Sequence, residues 1–193
     1  MDSRESAGAR ARLTMAELEF WTPDHRFGLK IPADVVEAIL GHCRDARDVE
    51  TGGILIGEYT DPHDCALIYQ VTGPPQDSTA TRTRFRRGTA GLQPLLDRLW
   101  RRERRYYLGE WHFHPGAAPE PSGVDDRQIA SIARDQKYSC PEPVLLIIGG
   151  NPCAVWAAAA YVFPKGENRI GMDPGPDSPE KVDGSRLWTA DRG

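Results

Sequence analysis

The stretch WHFHPGAAPEPSGVDD, residues 111–126, gathers the groups of this chain that could do chemistry together. His112 and His114 are two residues apart. On a strand that spacing points both side chains to one face, roughly 7 Å apart, so both imidazoles can reach one ion at Zn–N distances of about 2.0–2.1 Å. Trp111 and Phe113 then face the other way, and Pro115 ends the strand. Seven residues separate His114 from Ser122, and Asp125 follows three later. Two histidines and one carboxylate leave a fourth position open, the arrangement of a catalytic rather than a structural zinc. The same residues have plainer readings. A His-x-His pair in an aromatic strand also describes two partly buried histidines, and Ser122-x-x-Asp125 before an apolar run is a helix-capping pattern. Asp126 adjoins Asp125, so spacing alone chooses between them. Glu110 shares the strand face of His112 and competes for the role of base, or of a partner behind the ligand.

The elements that must position these groups follow from periodicity. LEFWTPDHRFGLKIP reads as two short strands around a Pro-Asp turn. Residues 33–45 read as a helix with Val35, Val36, Ile39, Leu40 and Cys43 in one stripe. GGILIGEYT and CALIYQV form a hairpin across DPHD. Residues 72–88 are too polar and too rich in Pro and Gly for regular core structure, and a loop of that length suits binding. A helix over about 90–105 leads into the strand YYLGEWHFHP. VDDRQIASIARDQ is a second amphipathic helix, and PVLLIIGG and AVWAAAAYVF are two further strands. Strand pairs mixed with helices give an α/β (α+β mixed) fold, a mixed sheet with helices packed on it. The expected limits are a loose N-terminus over 1–15, one domain over 16–163 and a flexible tail over 164–193, in which Trp188 is the residue that could dock.

Composition narrows the setting. With 39% hydrophobic and 27% charged residues the chain suits a globular domain, and its length of 193 residues holds one comfortably. The apolar run over 154–163 is too short to span a bilayer, and the first residues carry no leader-like run, which predicts a cytoplasmic protein with no membrane partner. Cys43, Cys65, Cys140 and Cys153 form no CxxC pair and read as reduced, mostly buried thiols. A net charge of −4 gives no drive towards nucleic acid. The arginine-rich run over 82–105 reads first as a solvated helix face behind Leu92, Leu95, Leu96 and Leu99, and second as a patch for an acidic partner.

The HFHP segment, its seven-residue spacer and SxxD resemble the JAMM signature of JAB/MPN metalloproteases. ETGGILIG is similar to the glutamate-bearing segment of that family, and the resemblance covers about residues 17–163. YLGEWHFHP and the VTGPP loop are similar to the prokaryotic branch found in antiphage operons, beside ubiquitin-activating and -conjugating-like enzymes. The resemblance implies a JAB/MPN-type sheet flanked by helices with cytidine-deaminase-like layering. It implies Zn2+ on His112, His114 and Asp125, with Glu50 as general base for the attacking water and Ser122 as donor to the oxyanion. Gly52 and Gly53 would let their strand pack close to the metal strand. The implied reaction is peptidase or isopeptidase cleavage that removes a ubiquitin-like protein or a conjugated nucleotidyltransferase-like defence enzyme from its target. The operon's activating and conjugating enzymes would be partners, and residues 72–88 the loop that grips an extended tail. Two other readings compete. A metal-free MPN scaffold would lose signature ligands, which this chain keeps. A RadC-like nucleic-acid-associated metalloprotein shares the HxHP and SxxD stretch, but ETGGILIG and the negative charge favour the protease. A deaminase is disfavoured because HxE and PCxxC are both absent.

Overall fold

The structure is a computed structural model that describes residues 17–61 and 63–175, with the backbone of 181–182 and 185–189. In chain order the elements are β1 (Leu18–Trp21), β2 (Gly28–Ile31), α1 (Ala33–Ala46), β3 (Thr51–Tyr59), β4 (Cys65–Val71), β5 (Thr79–Thr81), β6 (Arg84–Arg86), α2 (Leu92–Glu103), β7 (Tyr106–Pro115), α3 (Gly123–Arg134), β8 (Val144–Gly150), β9 (Val155–Val162), β10 (Ile170–Pro174), β11 (Lys181–Val182) and β12 (Ser185–Thr189). The order across the main sheet is β10-β1-β2-β4-β3-β7-β8-β9-β12-β11. The mixed α+β reading holds. Among the described residues no helix is long and apolar enough to cross a membrane.

Most neighbouring strands are antiparallel, but β7 and β8 run parallel. Parallel neighbours need a crossover, and α3 supplies it. The chain therefore leaves the carboxyl end of β7 and enters α3 close by, the place where open α/β units commonly bind ligands.

Two apolar layers cover the sheet. The stripe Val35, Val36, Ile39, Leu40 and Cys43 lays α1 against the face that carries Trp111 and Phe113. On the opposite face, Leu99 of α2 and Ile129 and Ile132 of α3 pack on Ile54, Ile56, Leu145 and Ile147. Each such aliphatic side chain contributes about 1.5–3 kcal/mol when fully buried. The solvated-face reading of the arginine-rich run holds for α2, whose Leu92, Leu95 and Leu96 pack inwards. Arg87 departs from it, as described below.

Strand β7 does not alternate evenly. Leu108 and Trp111, three apart, both belong to the α1-side core, while Tyr107 faces α2 and α3. An extra residue makes this possible. The register with β3 passes from Leu55↔Gly109 to Ile56↔Tyr107, leaving Leu108 as the bulge. Gly109 adopts φ 153°, and a Cβ there would lie 1.9 Å from the Val144 carbonyl oxygen.

One expectation is corrected, that for the tail. Residues 164–193 were expected to be a flexible tail, yet Ile170–Pro174 forms β10, with Ile170–Met172 paired to β9 and Asp173–Pro174 paired to β1. The alternating Ile170 and Met172 pack against the core, and the two pairings join β1 to β9, closing the sheet. Trp188 lies in β12, whose backbone pairs with β9. The loop over 72–88 contains the β5–β6 hairpin, held at its base by Asp77, which accepts from Thr89 N and Ala90 N (3.0 and 2.9 Å). The expectation for residues 1–15 lies outside the described residues.

Gly109→Ala should lower stability by at least about 2 kcal/mol, combining a disfavoured φ with a backbone clash. Urea unfolding with an unchanged m-value measures it. A midpoint equal to that of the parent protein would mean that the bulge does not need glycine.

Candidate metal centre

Strand β7 delivers His112 and His114 to the face covered by α3, and the first turn of α3 delivers Asp125. All three are buried: His112 is 1% exposed, His114 8% and Asp125 6%. One ligand atom from each lies within 4.8 Å of the others. A tetrahedral ion with bonds of about 2.0–2.1 Å needs ligand atoms about 3.4 Å apart, so small inward shifts would complete the set.

Asp125 is fixed by the helix start. Ser122 is the N-cap, and its Oγ accepts from Val124 N (3.2 Å) and Asp125 N (3.3 Å). Asp125 Oδ2 in turn accepts from Ser122 N at 2.7 Å, completing a capping box. The other oxygen, Oδ1, lies 2.9 Å from His112 Nδ1, and Oδ2 lies 3.9 Å from His114 Nε2. Capping and placement at the cluster are thus two consequences of one rotamer. Asp126 turns away to an ion pair with Arg169, so the structure separates the two neighbouring aspartates.

The electrostatics suit a cation. Burial alone would depress His112, but hydrogen bonds to Asp125 and Glu110 push its pKa up to about 9. Burial likewise works against the Asp125 carboxylate, yet His112 and Ser122 hold it well below the usual range. Burial lowers His114, against the pull of Asp125 and the carbonyls of Ala118 and Glu120.

Glu50 immediately precedes β3 and is half-buried. Its backbone N–H donates to Thr81 O in β5 at 2.8 Å, and its carboxylate accepts from the Phe85 backbone. Burial raises its pKa first and the nearby Asp125 charge second, while His112 opposes them. It therefore belongs to the same electrostatic neighbourhood as the triad. The close approach of the two strands requires Gly52, where a Cβ would lie 2.4 Å from Trp111 O and 2.9 Å from His112 Cδ2. A cleft of about 520 Å³ opens beside Glu50, lined by His42, Val49, Pro74, Pro75 and Phe85 among others.

Glu110 is fully buried behind His112. Its Oε1 accepts from Arg87 Nε at 2.8 Å, and its Oε2 accepts from Gln128 Nε2 at 2.9 Å and lies 3.3 Å from His112 Nε2. Burial would raise this carboxyl, but His112 and Arg87 hold it below its ordinary value. A carboxylate so engaged is poorly placed to act as a base. Arg87 and Gln128 were not singled out from the sequence, and only the fold brings them to Glu110. Cys43, Cys65 and Cys140 are buried, with the Cys65 thiol pushed up to about 11, so it has no nucleophilic character.

A model of prokaryotic homologs of the JAB domain matches residues 32–160, and the chain belongs to that family. A protein of Enterobacter hormaechei named CD-NTase/cGAS isopeptidase is 42% identical over 163 residues, covering 84% of this chain and 90% of the relative. A Sinorhizobium fredii protein named “Probable metalloprotease” is 34% identical over 135 residues, covering 68% of this chain and 81% of its own length. The solution structure of a Desulfitobacterium hafniense protein shares the fold, with a TM-score of 0.52 at 23% identity over 74% of this chain and 86% of that one. Family and relatives together make the chain a hydrolase of the JAB class.

The raised pKa of His112 has a measurable consequence. Its proton stabilises the metal-free fold fully below about pH 6.5, and that contribution is lost as pH rises through about 9. A metal must displace this proton. Titrating zinc into metal-free protein at pH 7, in buffers of differing ionisation enthalpy, should show about one proton released per metal bound, with release disappearing well above pH 9. No proton release at pH 7 would mean that His112 is not displaced from its protonated state.

Proposed function

We propose that this chain is a zinc-dependent isopeptidase that releases a conjugated nucleotidyltransferase-like protein, or a ubiquitin-like protein, from its target. The observation that carries the reading is the buried convergence of His112, His114 and Asp125 beside the half-buried Glu50. Two imidazoles and one carboxylate suit zinc, with a coordination position left over for chemistry. The name of the Enterobacter relative supports the substrate class, and the ligation enzymes that make such conjugates would be operon partners. A metal-free scaffold would have no use for a buried triad of this kind.

When bound, zinc would polarise the scissile carbonyl and favour ionisation of the attacking water. Glu50, whose pKa burial raises above the ordinary carboxylate value, takes a proton from that water as the C–O bond forms. It hands the proton to the amine nitrogen as the C–N bond breaks, leaving a carboxylate and a free lysine or N-terminus. The hydroxyl of Ser122, whose oxygen accepts from Val124 N and Asp125 N, is the donor we assign to the oxyanion once its proton turns towards the substrate. Its place at the amino end of α3 adds a favourable helix dipole there. Glu110 does not compete as base, being engaged with Arg87 and Gln128.

The cleft beside Glu50 suits an extended C-terminal tail. Its wall of Pro74, Pro75 and Phe85 offers apolar contact, and the β5–β6 hairpin supplies backbone for strand-like pairing. Recognition by backbone would read several residues of the tail rather than one side chain.

Glu50→Ala should keep its metal and fold but lose turnover by at least about 100-fold, the usual contribution of a positioned acid–base group. The assay incubates the parent protein and the variant with conjugates made by the operon's own ligation enzymes. The parent should liberate an intact C-terminus, seen by mass spectrometry. Conjugates that survive active, zinc-loaded protein would remove this substrate class, and a Glu50→Ala variant of full activity would remove Glu50 as base.

A further inference from the structure

Arg87 lies where the β5–β6 hairpin rejoins the domain, directly after β6. Its side chain is 4% exposed and faces a carboxylate at 0%. Taking both charges out of water is costly, and apolar side chains of similar size often serve stability as well. Stability alone is therefore a weak reason for the pair. Its geometry offers another. Arg87 uses three nitrogens: Nε donates to Glu110 Oε1 (2.8 Å), Nη1 to Gly88 O (2.9 Å) and Nη2 to Tyr138 Oη (3.3 Å). This fixes the plane of Glu110. The second carboxylate oxygen, steadied by Gln128, then lies 3.3 Å from His112 Nε2, leaving His112 Nδ1 towards Asp125 at 2.9 Å. Phe85, two residues before Arg87, packs edge-on against the same imidazole, with centroids 5.5 Å apart and planes at 80°.

The segment Phe85–Arg87 thus restrains the His112 ring twice, directly through Phe85 and indirectly through Arg87 and Glu110. We propose that Arg87 is a positioning residue, which through Glu110 sets which nitrogen of His112 faces the metal and couples the β5–β6 hairpin to the metal centre. This rests on the metal-dependent hydrolase reading and extends it to a residue that touches neither metal nor substrate. Metal affinity then depends on the hairpin, and a hairpin engaged by a tail holds its ligand more firmly. Partners of this kind behind a ligating histidine typically change metal affinity 10–100-fold.

The test is titration of the metal-free full chain with cobalt(II), following the visible absorption that reports ligand geometry. Arg87→Met and Glu110→Gln should each weaken cobalt binding about 10–100-fold and alter the spectrum. Arg87→Lys, which keeps the charge but not the fork, should recover part of the loss. The double variant Arg87→Met/Glu110→Gln should be no weaker than the worse single variant, because both act along one path. It also removes both buried charges together, so it remains measurable if Arg87→Met alone fails to fold. A double variant with the affinity and spectrum of the parent protein would overturn the inference, as would losses that simply add. Those outcomes leave the hydrolase reading standing, whereas a parent protein that takes up no cobalt would overturn both.

Discussion

The carboxylate of Asp125 is bonded on both oxygens, and much of the site depends on that. One oxygen closes the capping box with Ser122, and the other meets the imidazole of His112. A carboxylate on a free loop would lose side-chain and backbone freedom each time it engaged a metal. Here that ordering accompanies helix formation, so the carboxylate is placed by the helix start itself. The parallel arrangement of β7 and β8 is what brings the helix start to the histidines, because the crossover must begin at the carboxyl end of β7.

The second constraint is phase. Beyond the bulge at Leu108 and Gly109, Glu110, His112 and His114 share the face beneath α3, while Trp111 and Phe113 anchor the strand against α1. A strand without the extra residue would have to give up either Leu108 or Trp111 from that core. The bulge lets one strand satisfy a large apolar core on one side and a polar, histidine-bearing surface on the other. The buried Arg87–Glu110 pair belongs to that polar side, which is why it can reach His112.

Much of this was legible in the residues. The spacing of His112 and His114 gave their common face, and Ser122-x-x-Asp125 read as a cap and as a ligand position, both of which the geometry accommodates. The helix at 33–45 and the strands around Ile54, Leu67, Leu146 and Ala158 followed from short-range periodicity. The strand β10 did not, because Ile170 and Met172 are isolated apolar residues among Gly, Asn and Asp, and pairing to β1 and β9 supplies what propensity lacks. The hairpin at Thr79–Arg86 was hidden for the same reason. Arg87 and Gln128 escaped because a buried arginine looks like any other arginine in a run of them. Its partner Glu110 is defined only once the chain has folded.

The closure by β10 bears on how this domain is made. Among the described residues, strands β1 and β9 are joined through β10, a segment that leaves the ribosome after His112, His114 and Asp125 have emerged. Until then the outer edges of both strands present unpaired backbone groups, the condition that invites pairing with another chain. Long-range pairing between opposite ends of a chain is slow to form. The seam between β1 and β9 therefore stays open until β10 pairs with both, and β10 acts as the stitch.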